Sequence, residues 1–437
     1  MKHFCVIALL WVALPVVCRG QAEPPSVPIP SAAAAPLSVD EAVAQARQAN
    51  PEVRVAVRRL SLAQIKTATA RSLDDPMLEV RDWSTPLRQP WDLNQAQLMF
   101  MVQQAFPNRQ KRDLRSKIAG EDASVAAEEL EALRQEVEAN VRKTCADLMR
   151  NADEIKLHDR QSALLKEALA AALAEYTTGK VPQADVLRAQ MALTRLNEHL
   201  IELEEERDTA RAQLNTLLGR APNQPVEIAG TYATPAPLPS IEELERVAIE
   251  HRPELSGLRK QIALTRDQGL LARLAMKPDF TFGAGYMVMP TGSASRNAYM
   301  AEASMNLPWL NRERHEGEAK QADAATDVAS AELEARTSAV FSEIRQAQIA
   351  VLNAEKRTKL YRDTLLPQAD AAFKAAVAAY KNNRAEFQNL IESQNLLLDI
   401  QTAFYKSSAT ADAAIAQLER AIGAPLSTEP GTERTSK

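Results

Sequence analysis

The sequence predicts a mainly α-helical fold with a small β part, built from two tandem copies of one helix–strand–strand–helix–helix unit. Three observations predict it: a composition typical of long helices, landmarks that recur about 200 residues apart, and short segments of alternating polarity between the helical stretches. The 437 residues include only 13 Gly and 5% aromatic residues, and Ala, Glu, Leu, Gln and Arg dominate long stretches. These are strong helix formers. Lys and Arg number 52 against 57 Asp and Glu, a net charge of −5, so nothing indicates a nucleic-acid partner.

The first 22 residues have the features of a secretory signal peptide. A short basic head precedes an apolar run over residues 4–17, and the small residue Ala22 stands at a suitable cleavage position. The alternative is a lipoprotein acylated at Cys18, although the residue before Cys18 is not small, as lipoprotein processing requires. Only Cys145 lies outside this region, so we expect no intramolecular disulfide.

The chain carries one pattern twice, at an offset of about 202 residues. Pro51 matches Pro253 at 202, and Gly219 matches Gly423 at 204. Recurrence of this kind indicates a structural duplication. We therefore divide the chain into six parts: a signal peptide at 1–22, a Pro/Ala-rich extension at 23–37, a first repeat at 38–230, a linker at 231–239, a second repeat at 240–425, and a flexible tail at 426–437.

Each repeat begins with a Ser-x-x-Glu capping box, followed by a helix that a proline interrupts. The capping boxes are Ser38–Glu41 and Ser240–Glu243, where the serine side chain and the glutamate side chain satisfy each other's backbone N–H groups. Pro51 and Pro253 then kink or break the helix, because proline has no N–H to donate.

Each repeat also contains a very long helix, over about residues 110–176 and 311–380. At 1.5 Å per residue, each helix reaches on the order of 100 Å, well beyond a globular domain. Apolar residues recur every three or four positions along the first: Leu130, Leu133, Val137, Val141, Cys145 and Leu148. This spacing predicts a coiled-coil-like seam, with Cys145 as a small core residue. An ordinary dimeric coiled coil has the same seam but does not account for the strands.

Four segments alternate between apolar and polar residues, at about 77–84, 95–105, 279–289 and 298–307. This alternation is the pattern of outer-membrane strands, although a half-buried soluble sheet shows it too. Four strands cannot close a barrel, and open edges are not tolerated in lipid. Membrane-spanning strands therefore require several protomers, and three copies would supply 12 strands. The fold predicted from these residues is four transmembrane strands per protomer joined to long helices, in an assembly of several protomers.

Short sequence motifs resemble those of the TolC-like outer membrane factors, which form the exit ducts of tripartite efflux pumps. Residues 176–190 are similar to the family's Tyr-x-x-Gly tip turn, and residues 380–394 are a second copy with Asn383 in place of glycine. Residues 104–112 are similar to the phrase that leads into the long helix in the heavy-metal branch, except that Gln110 stands where glycine is usual. The resemblance covers essentially the whole mature chain.

The resemblance implies a homotrimer in the outer membrane of a Gram-negative bacterium, extending into the periplasm. It implies three kinds of partner: a periplasmic adaptor (membrane fusion protein), an inner-membrane RND-type pump, and outer-membrane lipid. The implied cargo is heavy-metal cations. A drug-efflux channel, a type I secretion channel and an exported coiled-coil scaffold are the alternatives. The adaptor is expected to dock at the helical-tip turns: Gly179, Lys180, Asn383 and Arg384.

Charged residues just past the tip turns are gate candidates: Asp185, Arg188, Glu386 and Glu392. In related channels, charged residues near this end constrict the closed pore. Carboxylates repeated by a threefold axis would form a negative ring that attracts cations. The plainer interpretation is that these are ordinary exposed charges on helices.

The sequence contains no phosphate-binding loop, nucleophile elbow or paired-histidine zinc motif, so we expect no enzyme, no catalytic residue and no cofactor. Four histidines are dispersed without ligand spacing: His158, His199, His251 and His315. Five methionines fall on the strand face that we assign to the lumen: Met99, Met101, Met287, Met289 and Met300. Thioethers suit Cu(I), so a copper or silver path is a hypothesis, whereas apolar filling of a narrow barrel is the plainer interpretation.

Overall fold

The computed structural model describes residues 36–82, 97–232, 237–289, 293, 297–382, 384 and 386–426, which belong to a unit that begins at Pro36. They are mainly helical with a small β part, as predicted. The signal peptide, Cys18, Asn383 and nearly all of the predicted extension and tail lie outside the described residues. No helix in the described ranges is both long and apolar enough to cross a membrane.

The elements repeat in the predicted order. The first repeat consists of β1 Leu37–Ser38, α1 Val39–Ala49, α2 Pro51–Thr69, β2 Met77–Asp82, β3 Leu98–Phe106, α3 Arg109–Thr177, α4 Gln183–Leu217 and β4 Ile228–Ala229. The second consists of α5 Ile241–His251, α6 Pro253–Leu274, β5 Phe280–Val288, β6 Asn297–Met305, α7 Arg312–Leu360, α8 Leu366–Lys381 and α9 Phe387–Ile422. Helices α1 and α5 begin at residues 39 and 241, and α4 and α9 at 183 and 387, so the offset grows from 202 to 204.

The two capping boxes differ. Ser38 Oγ accepts the backbone N–H of Glu41, and the Glu41 carboxylate accepts the backbone N–H of Ser38 at 2.9 Å, which completes the predicted motif. Ser240 Oγ likewise accepts the N–H of Glu243. The Glu243 carboxylate, however, pairs with Arg246 at 2.6 Å. The second prediction is therefore only half right, because a guanidinium one turn later takes the carboxylate.

The helix breaks before Pro51 and Pro253 connect the beginning of each repeat to its end. The residue before each proline donates a side-chain hydrogen bond to a carbonyl in the last turn of the repeat's final helix. Asn50 Nδ2 donates to the carbonyl of Leu217 at 3.0 Å, and the Arg252 guanidinium donates to the carbonyl of Ala421 at 3.0 Å. Different side chains thus make the same connection in both repeats.

Each repeat has its own apolar core. In the first, α1 and α2 pack on the middle of α3 and the end of α4; in the second, α5 and α6 pack on α7 and α9. Cys145 lies in the first core with no exposed surface, as predicted. Burial raises the pKa of its thiol to about 12, so the thiol stays protonated and unreactive.

The long helix of the second repeat is interrupted, contrary to the prediction of a continuous helix over 311–380. Helix α7 ends at Leu360, a π-helical turn covers Tyr361–Leu365, and α8 continues from Leu366. Pro367 explains the interruption, because its nitrogen cannot donate to the carbonyl of Asp363. By contrast, α3 runs unbroken for 69 residues.

Candidate functional site: sheet faces, helical tip and groove

The strands β2, β3, β5 and β6 form one antiparallel sheet in the order β2-β3-β5-β6. The pairs Val80–Phe100, Phe100–Tyr286 and Tyr286–Tyr299 lie opposite each other across the four strands, so their side chains share one face. On this face Val80 is 57% exposed, Phe282 52% and Tyr299 92%. A contiguous apolar patch of this kind marks a surface for lipid or a partner.

The opposite face of the sheet carries methionine, glycine and polar side chains. Met99 lies opposite Met287, and Gly285 lies between Met101 and Met300. Four of the five predicted methionines therefore share one face. The fifth, Met289, immediately follows the end of β5. The alternation predicted from the sequence is present in the register of the strands.

The methionines are in contact with protein neighbours. Met99 and Met101 are 2% and 1% exposed, and a Cβ added at Gly283 would meet the Met101 sulfur at 3.2 Å. The Gln97 amide donates a hydrogen bond to the Met287 sulfur at 3.1 Å. These contacts agree with the plainer interpretation, in which the thioethers fill space over the glycines.

The sheet has two outer strands. Within the described residues, β2 pairs with β3 and β6 pairs with β5, each on one side only. Each outer strand thus presents a further edge at which another strand could pair.

At the end of the long helices far from the sheet, the α3–α4 hairpin meets the α8–α9 hairpin through Tyr380 and Glu175. The Tyr380 hydroxyl donates to Glu175 Oε2 at 3.3 Å, and the Tyr380 ring lies 5.7 Å from the ring of Phe387. Burial raises the pKa of Tyr380, and the carboxylates of Glu175 and Asp185 raise it further. The sequence analysis missed this contact, although it had matched Tyr380 to Tyr176.

The predicted gate residues lie near this contact but differ in their surroundings. Asp185 accepts a hydrogen bond from Arg188 at 3.1 Å within α4, and its side chain is only 13% exposed. Glu392 accepts from Gln388 at 2.8 Å within α9 and is exposed, as is Glu386. Asp185 lies close enough to Tyr380 for its charge to act on the hydroxyl.

The predicted tip turn between α3 and α4 is present. Gly179 has a φ of +71°, a conformation that glycine adopts at no cost. Lys180 in this turn and Arg384 in the equivalent turn of the second repeat are both exposed.

A groove of about 710 Å³ lies between α4 and α9, with α3 as its floor. Its lining includes buried polar side chains of α3, among them Glu154, 1% exposed, and His158, 5% exposed. His199 and Glu202 of α4 form part of one wall, and Lys406 of α9 forms part of the other. The three helices α3, α4 and α9 thus place titratable groups around one space.

The structure brings together two histidines that the sequence analysis had treated as dispersed. The rings of His158 and His199 have centroids 6.2 Å apart. The hairpin itself contains the signal that could have found them: with a turn centred near Gly179, antiparallel positions 158 and 199 face each other, as do Arg150 and Glu206. The expectation of unrelated histidines is therefore wrong for this pair.

The fold is that of a known class of membrane channels. The chain is similar to the outer membrane protein VceC of Vibrio cholerae, with a TM-score of 0.71 and 18% identity over 89% of this chain and 96% of that one. It is also similar to the outer membrane channel MtrE of Neisseria gonorrhoeae, with a TM-score of 0.74 and 14% identity over 90% and 91% of the two chains.

The sequence matches a family model and a curated relative. Residues 42–220 match the outer membrane efflux protein family. The chain is also 23% identical over 402 residues to the cobalt-zinc-cadmium resistance protein CzcC of Cupriavidus metallidurans, covering 91% of this chain and 93% of that protein. This match and the shared fold confirm the resemblance to TolC-like outer membrane factors. The comparisons also agree with the predicted location in the outer membrane and with the prediction that the protein is not an enzyme.

Proposed function

We propose that this chain is one protomer of a homotrimeric outer membrane channel that conducts heavy-metal cations delivered by a periplasmic adaptor and an inner-membrane RND-type pump. The observation that carries the proposal is the four-stranded sheet, with its exposed apolar face and its opposite face of methionine, glycine and polar groups. Lipid suits the first face and a channel interior suits the second. Neighbouring protomers would pair at the outer strands, and three copies would close a barrel of 12 strands.

The helices support the assembly of several protomers. Large apolar side chains remain exposed on three helices of the isolated protomer: Ile65 on α2 at 63%, Ile201 on α4 at 67% and Val328 on α7 at 57%. Apolar groups at these positions favour contact with neighbouring helices. Helix α3 would extend about 100 Å, a length that suits a duct from the outer membrane into the periplasm.

The cargo assignment rests on the relative and on one phrase of the sequence. CzcC is named for resistance to cobalt, zinc and cadmium, and residues 104–112 resemble the heavy-metal branch of the family. Divalent cations are therefore the cargo that we propose. A drug or a secreted protein is the competing cargo.

The test is growth of a strain that lacks the gene, with and without a plasmid copy, on zinc, cobalt, cadmium, nickel, copper, silver and a panel of drugs. We expect sensitivity to one or more of zinc, cobalt and cadmium, restored by the plasmid. Sensitivity to drugs alone would reject the cargo assignment and keep the channel. Sensitivity to copper or silver alone would favour the methionine face as an ion path.

The tip is the proposed gate and docking region. Tyr380, Glu175 and Asp185 link the two hairpins of one protomer, and Arg188, Glu386 and Glu392 provide further charge around this link. The exposed basic side chains of Lys180 and Arg384 suit the docking of an adaptor at the turns, together with Gly179 and Asn383. Opening would require the link between the hairpins to break.

A further inference from the structure

His158 and His199 both have the arrangement that frees one ring nitrogen for a metal ion. Nδ1 of His158 lies 2.9 Å from the backbone carbonyl of Glu154. A carbonyl only accepts hydrogen bonds, so Nδ1 carries the proton and the neutral ring has a bare Nε2. Nδ1 of His199 lies 3.1 Å from the carboxylate of Glu202, with the same result. Histidine ligands of metals typically hold their other ring nitrogen on a carbonyl or a carboxylate in this way.

The distance between the two rings fits a shared ion. A histidine nitrogen binds zinc at about 2.0–2.1 Å, which puts the ion about 3.2 Å from the ring centroid and two such centroids at most about 6.4 Å apart. The observed separation is 6.2 Å. A tetrahedral angle requires about 5.2 Å, so the rings would approach by about 1 Å on binding, and the His199 side chain is 58% exposed.

The groove lining carries more acidic than basic side chains, and two of its carboxylates, Glu154 and Glu206, also pair with Arg150. The lining has five carboxylates against three basic side chains: Glu154, Glu202, Glu206, Glu392 and Asp399 against Arg188, Arg195 and Lys406.

We propose that His158 and His199 bind a divalent transition-metal ion of the zinc, cobalt or nickel type through their Nε2 atoms. Within the described ranges, no three His, Cys, Asp or Glu side chains are grouped closely enough to hold a metal, so the protein supplies two ligands and water completes the coordination. Two protein ligands make an exchangeable site rather than a structural one. The site is a property of the α3–α4 hairpin and does not depend on the proposed cargo.

The test is a titration of the purified, detergent-solubilised protein, without a histidine tag, with Co²⁺ followed by its visible absorption. Zn²⁺ is then added to compete. We expect a saturable site with one ion per protomer. His158→Gln and His199→Gln should each weaken cobalt binding at least about tenfold, since losing a ligand costs no less than losing its second-sphere partner.

His315→Gln is the matched control. His315 holds its Nδ1 on Glu318 at 3.1 Å, as His199 does on Glu202, but lies on α7, away from the pair. We expect this variant to bind cobalt like the wild type. His199 is largely exposed, so its substitution is not expected to disturb folding, which circular dichroism would check. Unchanged cobalt affinity in His199→Gln, or no saturable site in the wild type, would overturn the proposal.

Discussion

Buried polar side chains are concentrated on one stretch of α3. Asn151 and Glu154 are each 1% exposed, and Arg150 pairs with Glu154 at 3.2 Å and with Glu206 of α4 at 2.8 Å. Burial raises the pKa of the Glu154 carboxyl, although the Arg150 guanidinium opposes it. Buried charges need partners, so this stretch ties α3 to α4 by polar contacts.

His158 makes the stability of this stretch depend on pH. Its folded-state pKa is lowered from the usual 6.5, chiefly by burial, while His199 and Lys406 also disfavour the charged ring and the Glu154 carbonyl and Asp159 oppose them. The contribution of the neutral ring is fully present above about pH 6.5 and is lost as the pH falls through the lowered pKa. We therefore expect the melting temperature of the wild type in detergent to fall more between pH 7.5 and pH 5 than that of His158→Gln.

The control for this prediction is His251→Gln, which changes an exposed histidine and should follow the wild type. The raised pKa of Glu154 has the opposite effect on the pH dependence of stability, because the contribution of its protonated form is lost as the pH rises above about 4.5. The comparison between variants removes that effect. Parallel pH profiles for the wild type and His158→Gln would contradict the prediction.

Among the elements, the ends of the two repeats depend on glycine. Gly423 has a φ of +75°, and a Cβ added there would come within 2.8 Å of the His251 carbonyl oxygen and of Arg252 Cα. Gly317, inside α7, has no atom within 4 Å of an added Cβ. Gly423→Ala should lower the free energy of unfolding by at least about 1–2 kcal/mol, whereas Gly317→Ala should raise it by about 0.5–1 kcal/mol.

Urea unfolding in detergent, followed by circular dichroism, measures both effects. An unchanged or raised free energy of unfolding in Gly423→Ala would show that backbone strain and contact at Gly423 do not limit stability.

The tip contact predicts a change in channel conductance. Tyr380→Phe removes the hydroxyl that reaches Glu175, so the hairpins should separate more readily and the mean conductance in planar bilayers should rise. Tyr176→Phe is the control, because Tyr176 is the counterpart in the first repeat and is 43% exposed. Asp185→Ala should act in the same direction as Tyr380→Phe.

Equal conductance of Tyr380→Phe and the wild type would show that this contact is not part of the gate. If Asp185→Ala and Glu386→Ala were also unchanged, the assignment of the gate to the tip would be wrong.

The order of the elements was predictable because local chemistry determines it. Pro51 and Pro253 must start new helices, and the glycine at 179 matches the turn found there. The spacing of His158 and His199 about Gly179 indicates that they face each other only if the two helices keep their register over about 20 residues on each side of the turn, which depends on packing. The strand register was also out of reach, since β3 and β5 are separated by two long helices.

The interruption of the second long helix shows a different limit. Pro367 is plain in the sequence, but a proline within a helix can produce a kink, a break or a π-helical turn. The segment packs against α9, and packing, which is not a local property, also bears on which of these forms. Glu243 is a different case, because its partner Arg246 lies only three residues along the chain and competes with the helix cap for the same carboxylate.

For the whole assembly, the proposed trimer requires β2 of one protomer to pair with β6 of the next. Glu79 on β2 and Glu302 on β6 lie on the same face of the sheet as the methionines. In a Cys145→Ala background, Glu79→Cys combined in turn with Met300→Cys, Glu302→Cys or Ser304→Cys should give disulfide-linked species in membranes. The ladder should stop at three chains.

Each single cysteine variant is its own control and should give no ladder. A ladder that ends at another number of chains would contradict the trimer and indicate an assembly of that number of protomers. No cross-link at any of the three positions would remove the pairing of β2 with β6.

The π-helical turn gives the two halves of the duplicated chain different mechanical roles. The long helix of the first repeat, α3, is continuous, whereas the long helix of the second repeat is interrupted by the π-helical turn at Tyr361–Leu365. In the proposed ring of three protomers, continuous and interrupted long helices would alternate around the circumference. The end of the proposed ring far from the sheet could then widen by bending of the interrupted helices while the continuous helices keep their positions.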